Sequence, residues 1–282
     1  MQIQELSLDD VRNFLPDRDP WGHKGTFGKI LLICGSRGFT GAAYLASMGA
    51  LRAGAGLVFL GVPESIYAIE AVKLNEPVVF PLPDEDGKLS FMAVTEIEKR
   101  LENADAVLIG CGLGISSGTA TVVKTVLEKA ACPVVLDADG ITLMKEHKDI
   151  LRGRLYPTIL TTHDGEFLRF GGTISEDRMA SAARFAREWN SIVLLKGHET
   201  CITDGHIHYR NKTGNPGMAV GGSGDLLAGI ITGLLGQGIA PLEAAACGAY
   251  VHGKAGDICA DQLGQYGMLP TDMLQVLPRL LK

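Results

Sequence analysis

Residues 213–235 read TGNPGMAVGGSGDLLAGIITGLL, and the rest of the chain can be understood as a scaffold for this stretch. Its first half is rich in glycine, and glycines let a phosphate approach the backbone without meeting side chains. Its second half predicts a buried helix from Asp225, because residues 226–235 are almost wholly apolar. A helix start leaves backbone N–H donors unpaired and carries a partial positive charge. The stretch therefore predicts an anion site with the carboxylate of Asp225 beside it.

A purely structural explanation also fits this stretch. Ser223 and Asp225 stand where helix N-caps are common, and glycine-rich loops often only turn the chain. Gly229, Gly233 and Gly236 recur at helical spacing, which predicts close packing against a neighbouring element. The start of a buried helix would lie at the end of a core element and not on a surface loop. This position favours the interpretation of the stretch as an anion site.

Short apolar runs alternate with helical segments along the remainder of the chain. Runs typical of buried strands lie at residues 29–34, 57–62, 106–109, 134–136, 158–160 and 192–195. Because these runs lack polar alternation, they predict an α/β fold with a largely parallel sheet and helices on both faces. Residues 200–203 and 207–209 flank an Asp-Gly pair and predict a β-hairpin. Residues 175–189 predict an amphipathic helix.

Composition narrows the class of protein. The 282 residues are 46% hydrophobic and 21% charged, which suits a folded enzyme and argues against disorder. The net charge of −6 gives no support for nucleic-acid binding, which usually needs a basic face. The N-terminal residues lack the apolar segment of a signal peptide, and no apolar run approaches the roughly 20 residues that span a bilayer. The six cysteines form no CxxC pair, so we expect buried, reduced thiols and a cytoplasmic protein.

Glycine and acidic clusters follow the predicted strands, where open α/β sheets bind ligands. In the cluster KGHET, Lys196 and Thr200 could contact nucleotide phosphates, or the segment could simply turn the chain. In THDGE, Glu166 could hold a hydrated Mg²⁺ ion or only begin a helix. Asp137 and Asp139 could support Mg²⁺ or orient a water molecule, and either could instead cap the next helix.

Seven motifs, taken in order, resemble those of the ADP/ATP-dependent NAD(P)H-hydrate dehydratase family. They are HKGTFGKILLICGSRGFTGAA, LRAGAG, GCGLG, VLDADG, THDGEF, LLKGHET and GNPGMAVGGSGDLLAGIITGLL. The resemblance runs from about His23 to the C-terminus. It implies a ribokinase-like α/β fold, with residues 1–22 as a short N-terminal extension and residues 23–282 as a single catalytic domain. It also implies a repair reaction, in which the S form of hydrated NADH or NADPH is dehydrated at the expense of ADP or ATP, after phosphorylation of the hydrate hydroxyl.

The resemblance implies a role for each matching residue. Asp225 would be the base at the hydrate hydroxyl, and the moving phosphoryl group would receive N–H donors from Gly222, Ser223 and Gly224. The residues implied to hold the nucleotide are Lys196, Gly197, His198, Glu199, Thr200 and Gly224. The residues implied to contact the hydrate are Ala43, Gly114, His163 and Asp225. Glu166 would organise Mg²⁺ beside the co-substrate, ADP or ATP.

Two motifs depart from the family pattern. The expected HPGE is HDGE in this chain, and the expected ATGGTGD is AVGGSGD. Ser223 keeps a hydroxyl where the pattern has threonine. Val220 lacks one, so we expect no side-chain hydrogen bond from that position. Neither change removes a group with a proposed chemical role.

Two other functions remain open at this point. A kinase of a small vitamin-precursor alcohol, of the thiamine pyrimidine or thiazole type, would share the fold, the anion site and the base. It would not need the dinucleotide-sized floor that GSRGFTGAA and GCGLG predict. A non-catalytic nucleotide sensor would not need to keep Asp225. We expect a homo-oligomer, either a dimer or a tetramer, that binds neither nucleic acid nor a membrane.

Overall fold

Ten strands form one sheet in the computed structural model, which describes residues 2–281. The strands in chain order are β1 (Gln4–Glu5), β2 (Lys29–Ile33), β3 (Leu57–Pro63), β4 (Val78–Leu82), β5 (Asp84–Glu85), β6 (Lys88–Leu89), β7 (Ala106–Ile109), β8 (Val134–Asp137), β9 (Thr158–Thr162), β10 (Ile192–Leu195), β11 (Thr200–Thr203) and β12 (His208–Asn211). The order across the main sheet is β1-β12-β11-β10-β9-β8-β7-β2-β3-β4, and β5 and β6 form a separate hairpin. Only β11 runs antiparallel to its neighbours in the main sheet, so the predicted largely parallel sheet is confirmed.

Helices cover both faces of the sheet. They are α1 (Leu8–Phe14), α2 (Thr40–Arg52), α3 (Glu64–Lys73), α4 (Val94–Leu101), α5 (Ser117–Lys129), α6 (Asp139–Leu143), α7 (Asp149–Gly153), α8 (Asp164–Arg169), α9 (Arg178–Trp189), α10 (Ser223–Gly236), α11 (Pro241–Leu263) and α12 (Pro270–Leu280). In β2, Ile30 and Leu32 pack into the core that contains α2, α10, α11 and α12, whereas Leu31 and Ile33 pack into the core that contains α4, α5 and α9. Both faces of the central strands, β2 and β7 to β10, are therefore buried, which explains their apolar runs without alternation.

Helix α10 is the buried helix that the sequence predicts. Residues 226–236 are all buried, and the helix packs along α2. A Cβ atom at Gly229 would overlap the carbonyl oxygen of Ala46, and one at Gly233 would lie 2.5 Å from the carbonyl oxygen of Ala50. Glycine at these positions lets the two helix backbones touch, as the helical spacing of the glycines predicts. This contact places the start of α10 beyond the carboxyl ends of the central strands.

The Gly229→Ala variant should be strongly destabilised, because the added methyl group forces α2 and α10 apart. Overpacking of this kind typically costs about 1–3 kcal/mol. The matched control is Gly153→Ala at the end of α7, where a Cβ atom would meet nothing within 4 Å. Urea denaturation should give a lower midpoint for Gly229→Ala than for the control. Equal midpoints would show that the helix contact is looser than described.

Other predicted elements differ in detail from the structure. The hairpin is confirmed, because β11 and β12 pair antiparallel. The predicted helix over residues 175–189 begins only at Arg178, because the Asp177 side chain accepts the Ala180 N–H and caps the helix there. The N-terminal residues are joined to the main sheet, since β1 pairs with β12. The division into an extension and one catalytic domain stays a prediction.

All six cysteines are buried and unpaired, which confirms the prediction of free, buried thiols. Within residues 2–281, no helix combines the length and the apolar character that crossing a membrane requires. The cytoplasmic location inferred from the cysteines stays a prediction.

Candidate functional site

The start of α10 presents unpaired backbone donors. Gly222 has φ 93°, a left-handed conformation that glycine adopts without strain, and no side chain caps the helix. Within the described chain, the N–H groups of Gly222, Gly224 and Asp225 donate no hydrogen bond. The N–H of Ser223 instead turns back to the carbonyl oxygen of Val220, at 3.3 Å. The helix start therefore offers free donors to an anion, although Ser223 contributes its N–H only if this turn opens.

Lys196 brings a positive charge to the same place. It follows β10 directly, and a Cβ atom at Gly224 would lie 3.5 Å from its Nζ. Its ammonium group lies 3.4 Å from Asp137 Oδ1 and 3.6 Å from Glu166 Oε2. Burial disfavours the charged form, but the carboxylates of Asp137 and Glu166 outweigh burial and raise the pKa of Lys196 above its ordinary value. The lysine is therefore a fixed cation beside the free N–H groups.

Asp225 lies in the first turn of α10 and is partly exposed. Burial, followed by the negative charge of Asp137, raises the pKa of Asp225 to about 6. The positive charge of Lys196 opposes this rise without cancelling it. A carboxylate with this pKa is mostly ionised at neutral pH and is a stronger proton acceptor than an ordinary aspartate. These properties are those required of a general base.

Asp137 is the buried carboxylate that lies between Lys196 and Asp225 and influences the charge of both. Only 2% of the residue is exposed, at the carboxyl end of β8. Its Oδ1 accepts the hydroxyl of Thr161 at 2.6 Å, and its Oδ2 accepts the thiol of Cys111 at 3.4 Å. A hydrogen bond with Cys34, burial and the charge of Asp137 hold the pKa of the Cys111 thiol well above its ordinary value. The thiol therefore acts as a neutral donor.

Glu166 and His163 form the start of α8. The His163 N–H donates to Glu166 Oε2 at 2.9 Å, and His163 Nδ1 accepts the N–H of Gly165 at 3.0 Å. This reciprocal capping leaves Glu166 Oε1 without an N–H donor from the backbone and turns the carboxylate toward Lys196. Glu166 Oε1 lies 3.4 Å from Nε2 of the exposed His163 imidazole. A carboxylate oxygen in this position suits a hydrated Mg²⁺ ion whose other ligands are phosphate oxygens.

A second group of potential metal ligands fits a metal less well. The ligand atoms of Cys111, Asp137 and Asp225 all lie within 4.8 Å of one another. The thiol keeps its proton at neutral pH, and the ammonium group of Lys196 already pairs with Asp137. Thiolate is the form of cysteine that binds metals, so this group does not fit a metal site.

The segment from Lys196 to Thr200 connects β10 to β11 at the same edge of the sheet. Thr200 Oγ1 donates to the carbonyl oxygen of Gly197 at 3.2 Å, and Glu199 pairs with Arg210 at 3.3 Å. Gly197 and His198 are exposed. Arg178 braces the turn, because it donates to the carbonyl oxygen of Lys196 at 3.0 Å. The structure thus brings the predicted nucleotide segment next to Gly224 through Lys196.

The residues predicted to contact the hydrate are more dispersed. Gly114 is partly exposed, and its N–H donates to Asp139 Oδ2 at 2.8 Å. His163 is exposed at the start of α8. Ala43 has no exposed surface and packs against Gly35, so a ligand contact there would require α2 to shift. The contact at Ala43 stays a prediction that this structure does not favour.

Sequence reasoning missed several residues around the site. Cys111 was expected only to be a buried thiol, and it supports Asp137. Arg178 was expected only as part of a helix, and it braces the turn after Lys196. No motif marks His252, and its Nε2 lies 3.4 Å from the hydroxyl of Ser223. Their position in the sequence gives no signal of these contacts, because each one joins elements far apart in the chain.

The sequence is similar to those of known proteins. A family model described as NAD(P)H-hydrate dehydratase matches residues 30–279. The chain is 46% identical over 278 residues to a bifunctional NAD(P)H-hydrate repair enzyme of Moorella thermoacetica, across 96% of this chain and 52% of the relative. It is 35% identical over 288 residues to an ADP-dependent (S)-NAD(P)H-hydrate dehydratase of Bacillus subtilis, across 100% of this chain and 99% of the relative. The chain thus spans about half the length of the bifunctional relatives that it matches.

Solved structures agree with the fold. An ADP/ATP-dependent NAD(P)H-hydrate dehydratase from Bacillus subtilis, co-crystallised with ATP and Mg²⁺, superposes with a TM-score of 0.83 at 31% sequence identity. The match covers 99% of this chain and 98% of the other. The fold is ribokinase-like, as the resemblance implied.

Proposed function

The chain belongs to the NAD(P)H-hydrate dehydratase family, and from this membership we propose that it dehydrates the S form of hydrated NADH or NADPH with ADP or ATP as co-substrate. The observation that carries the proposal is the start of α10. There a partly exposed carboxylate, Asp225, adjoins free N–H donors and the ammonium group of Lys196. This arrangement has the groups that phosphoryl transfer to a hydroxyl requires.

The proposed reaction has two stages. Asp225 takes the proton of the hydrate hydroxyl, and the oxygen of that hydroxyl attacks the terminal phosphorus of the nucleotide. The bond from this phosphorus to its bridging oxygen breaks, so that AMP leaves when the co-substrate is ADP and ADP leaves when it is ATP. The N–H groups of Gly222 and Gly224 and the ammonium group of Lys196 stabilise the negative charge on the transferred group. The phosphorylated oxygen then leaves carbon as phosphate, because the ring nitrogen supplies an electron pair. Loss of a proton from the neighbouring ring carbon restores the double bond.

The remaining predicted residues have roles in the same proposal. The nucleotide phosphates and ribose lie along the segment containing Gly197, His198, Glu199 and Thr200. Gly114 and His163 flank the hydrate. Glu166 is the residue that would hold a Mg²⁺ ion through its carboxylate, and such an ion would neutralise phosphate charge.

The function is tested by incubating the purified chain with chemically hydrated NADH and either ADP or ATP. The proposal predicts recovery of the absorbance of the reduced nicotinamide ring with at least one nucleotide. The vitamin-alcohol kinase is not favoured, because two relatives that match over the whole chain at 35% and 31% identity are dehydratases. Phosphorylation of a thiamine-type alcohol, without recovery of NADH, would reverse this conclusion.

The pH dependence of the reaction follows from Asp225. The base must be ionised to accept a proton, and the pKa of Asp225 is raised to about 6. We therefore expect kcat/KM to fall about tenfold per pH unit below pH 6 and to level off above it. The matched variant is Asp137→Asn, which removes a neighbouring negative charge and should move the acidic limb to lower pH. An acidic limb that stays in place in Asp137→Asn would contradict the assignment of the limb to Asp225.

We retain the expectation of a homo-oligomer, either a dimer or a tetramer. Exposed apolar side chains on α3 and β4, at Ile69, Val72 and Val78, offer a surface for such assembly. Light scattering after size exclusion would give the mass directly.

A further inference from the structure

The loop that leads into α10 lies directly on the middle of α11. The side-chain amide of Asn211 donates to the carbonyl oxygen of Ala249 at 3.1 Å. The hydroxyl of Thr213 donates to the carbonyl oxygen of Tyr250 at 2.9 Å. In a continuous helix these carbonyl oxygens already accept N–H groups from the next turn. The two bonds from Asn211 and Thr213 are therefore additional hydrogen bonds that attach the loop to the helix backbone.

Two glycines of α11 make this close approach feasible. A Cβ atom at Gly253 would overlap the side chain of Thr213, and one at Gly256 would overlap the sulfur of Met218. Each glycine costs a helix interior up to about 1 kcal/mol relative to alanine. Their presence in the middle of a long helix is explained by the loop that rests on them.

Two polar side chains of the same helix reach the two ends of this loop. At its beginning, Asp257 Oδ2 accepts the N–H of Gly214 at 3.1 Å, and Asp257 Oδ1 accepts the side-chain amide of Asn215 at 3.1 Å. At its end, His252 Nε2 lies 3.4 Å from Ser223 Oγ. His252 is only 7% exposed. Burial lowers the pKa of His252 to about 4, so the imidazole is neutral under assay conditions.

We propose that His252 and Asp257 are positioning residues, which hold the glycine loop and the Ser223 hydroxyl in the geometry that receives the transferred phosphoryl group. This inference rests on the proposed function for its catalytic consequence, although the contacts themselves do not. A loop with glycines at 214, 217, 221 and 222 has many accessible conformations. Backbone donors accelerate a reaction only when they are already aimed at the developing charge, so some other element must fix them. α11 is the element that does so.

The effect on catalysis should appear in turnover rather than in nucleotide binding. Among residues 2–281, His252 and Asp257 form their side-chain hydrogen bonds with the loop and Ser223 and none with Lys196 or the segment that follows β10, so these residues should still hold the nucleotide. A displacement of about 1 Å at the donors can reduce the rate about 10²-fold. We therefore expect Asp257→Ala to lower kcat about 10- to 100-fold, with the KM for ADP or ATP changed less than about threefold.

The matched control is Asp261→Ala. Asp261 is one turn further along α11 and is exposed, and its side chain forms no hydrogen bond with any residue from 2 to 281. Hydrogen–deuterium exchange of the whole chain gives a second, activity-independent measurement. In Asp257→Ala, peptides covering residues 211–222 should exchange faster, while those covering β7 to β10 should not change. Asp257→Asn keeps one acceptor oxygen, so its kcat and its exchange rate should lie between those of Asp257→Ala and wild type. This variant replaces Asp257→Ala in the test if Asp257→Ala does not fold.

A double-mutant cycle tests His252. If His252 acts through Ser223, then His252→Ala and Ser223→Ala should not be additive, and the double variant should lose no more kcat than the worse single variant. Fully additive losses would overturn the role of His252. Unchanged exchange and unchanged kcat in Asp257→Ala would overturn the role of Asp257.

Failure of the positioning role and failure of the dehydratase proposal give different results. If the wild-type chain restores no NADH under any condition, the dehydratase proposal fails, and faster exchange in Asp257→Ala still supports the positioning of the loop. If the wild-type chain is active and neither kcat nor loop exchange responds to Asp257→Ala, the dehydratase proposal stands and the positioning role fails.

Discussion

We expect the Asp225→Asn variant to lose about 10²- to 10⁴-fold in turnover number, because asparagine cannot accept the proton of the hydrate hydroxyl. Asparagine keeps the shape of the side chain, and the free N–H donors and Lys196 remain in place. The variant should therefore bind ADP or ATP as tightly as the wild-type chain. Turnover can be followed from the absorbance of the reduced nicotinamide ring, and affinity by isothermal titration calorimetry.

Stability provides the internal control for this variant. The pKa of Asp225 is about 6 in the folded chain and 3.8 ordinarily, so ionisation of this group destabilises the folded state. The free energy of unfolding therefore falls as the pH rises from 3.8 to 6, and the full loss is present above pH 6. At pH 8 the neutral asparagine should leave the midpoint of thermal unfolding unchanged or higher. Loss of activity together with gain of stability is the signature of a residue kept for chemistry. Near-full turnover in Asp225→Asn, with unchanged affinity, would show that another group is the base.

The second large effect is expected for Lys196→Met. The substitution removes the ammonium group beside Gly224 and leaves the carboxylates of Asp137 and Glu166 without their shared cation. A hydrogen bond to a charged group contributes about 1.5–3 kcal/mol, so kcat/KM for the nucleotide should fall about 10- to 150-fold. The two uncompensated carboxylates would also repel phosphate.

Stability and activity should both respond to Lys196→Met. Removal of one partner from a buried ion pair is destabilising, so the midpoint of urea denaturation should also fall. The matched control is Lys124→Met on α5, where an exposed pair with Glu128 at 3.9 Å should contribute little. If Lys196→Met kept the kcat/KM of wild type, the lysine would have no part in holding phosphate.

Much of the scaffold was accessible from sequence, because the relevant signals are local. The apolar runs without alternation predict buried parallel strands, and the glycines at 229 and 233 predict that α10 packs closely against a neighbour, which the structure shows to be α2. Lys196 and Glu166 each follow such a run, and the carboxyl ends of parallel strands meet at one edge of a sheet. The convergence of Lys196 and Glu166 therefore follows from position along the chain, whereas the place of Asp225 beside them depends on how α10 packs.

What the sequence did not reveal depends on contacts between distant elements. Asp137 was ambiguous, because a strand-end aspartate can bind a cation or cap a helix, and only the register of β8, β9 and β10 places it beside Lys196. His252 and Asp257 lie within a long, largely buried helix, and no motif around them marks either residue. Their contacts with Ser223 and Gly214 depend on how α11 packs, which local pattern does not encode.

The most direct test is a crystal structure of the chain with a non-hydrolysable ATP analogue and Mg²⁺. We predict that the terminal phosphate lies within hydrogen-bond distance of the N–H groups of Gly222 and Gly224. Lys196 Nζ should contact the phosphates, and the Asp225 carboxylate should face the open side where a hydroxyl can approach. Phosphates bound beyond another strand end, or an Asp225 carboxylate turned away from them, would contradict a phosphoryl-receiving site at the start of α10.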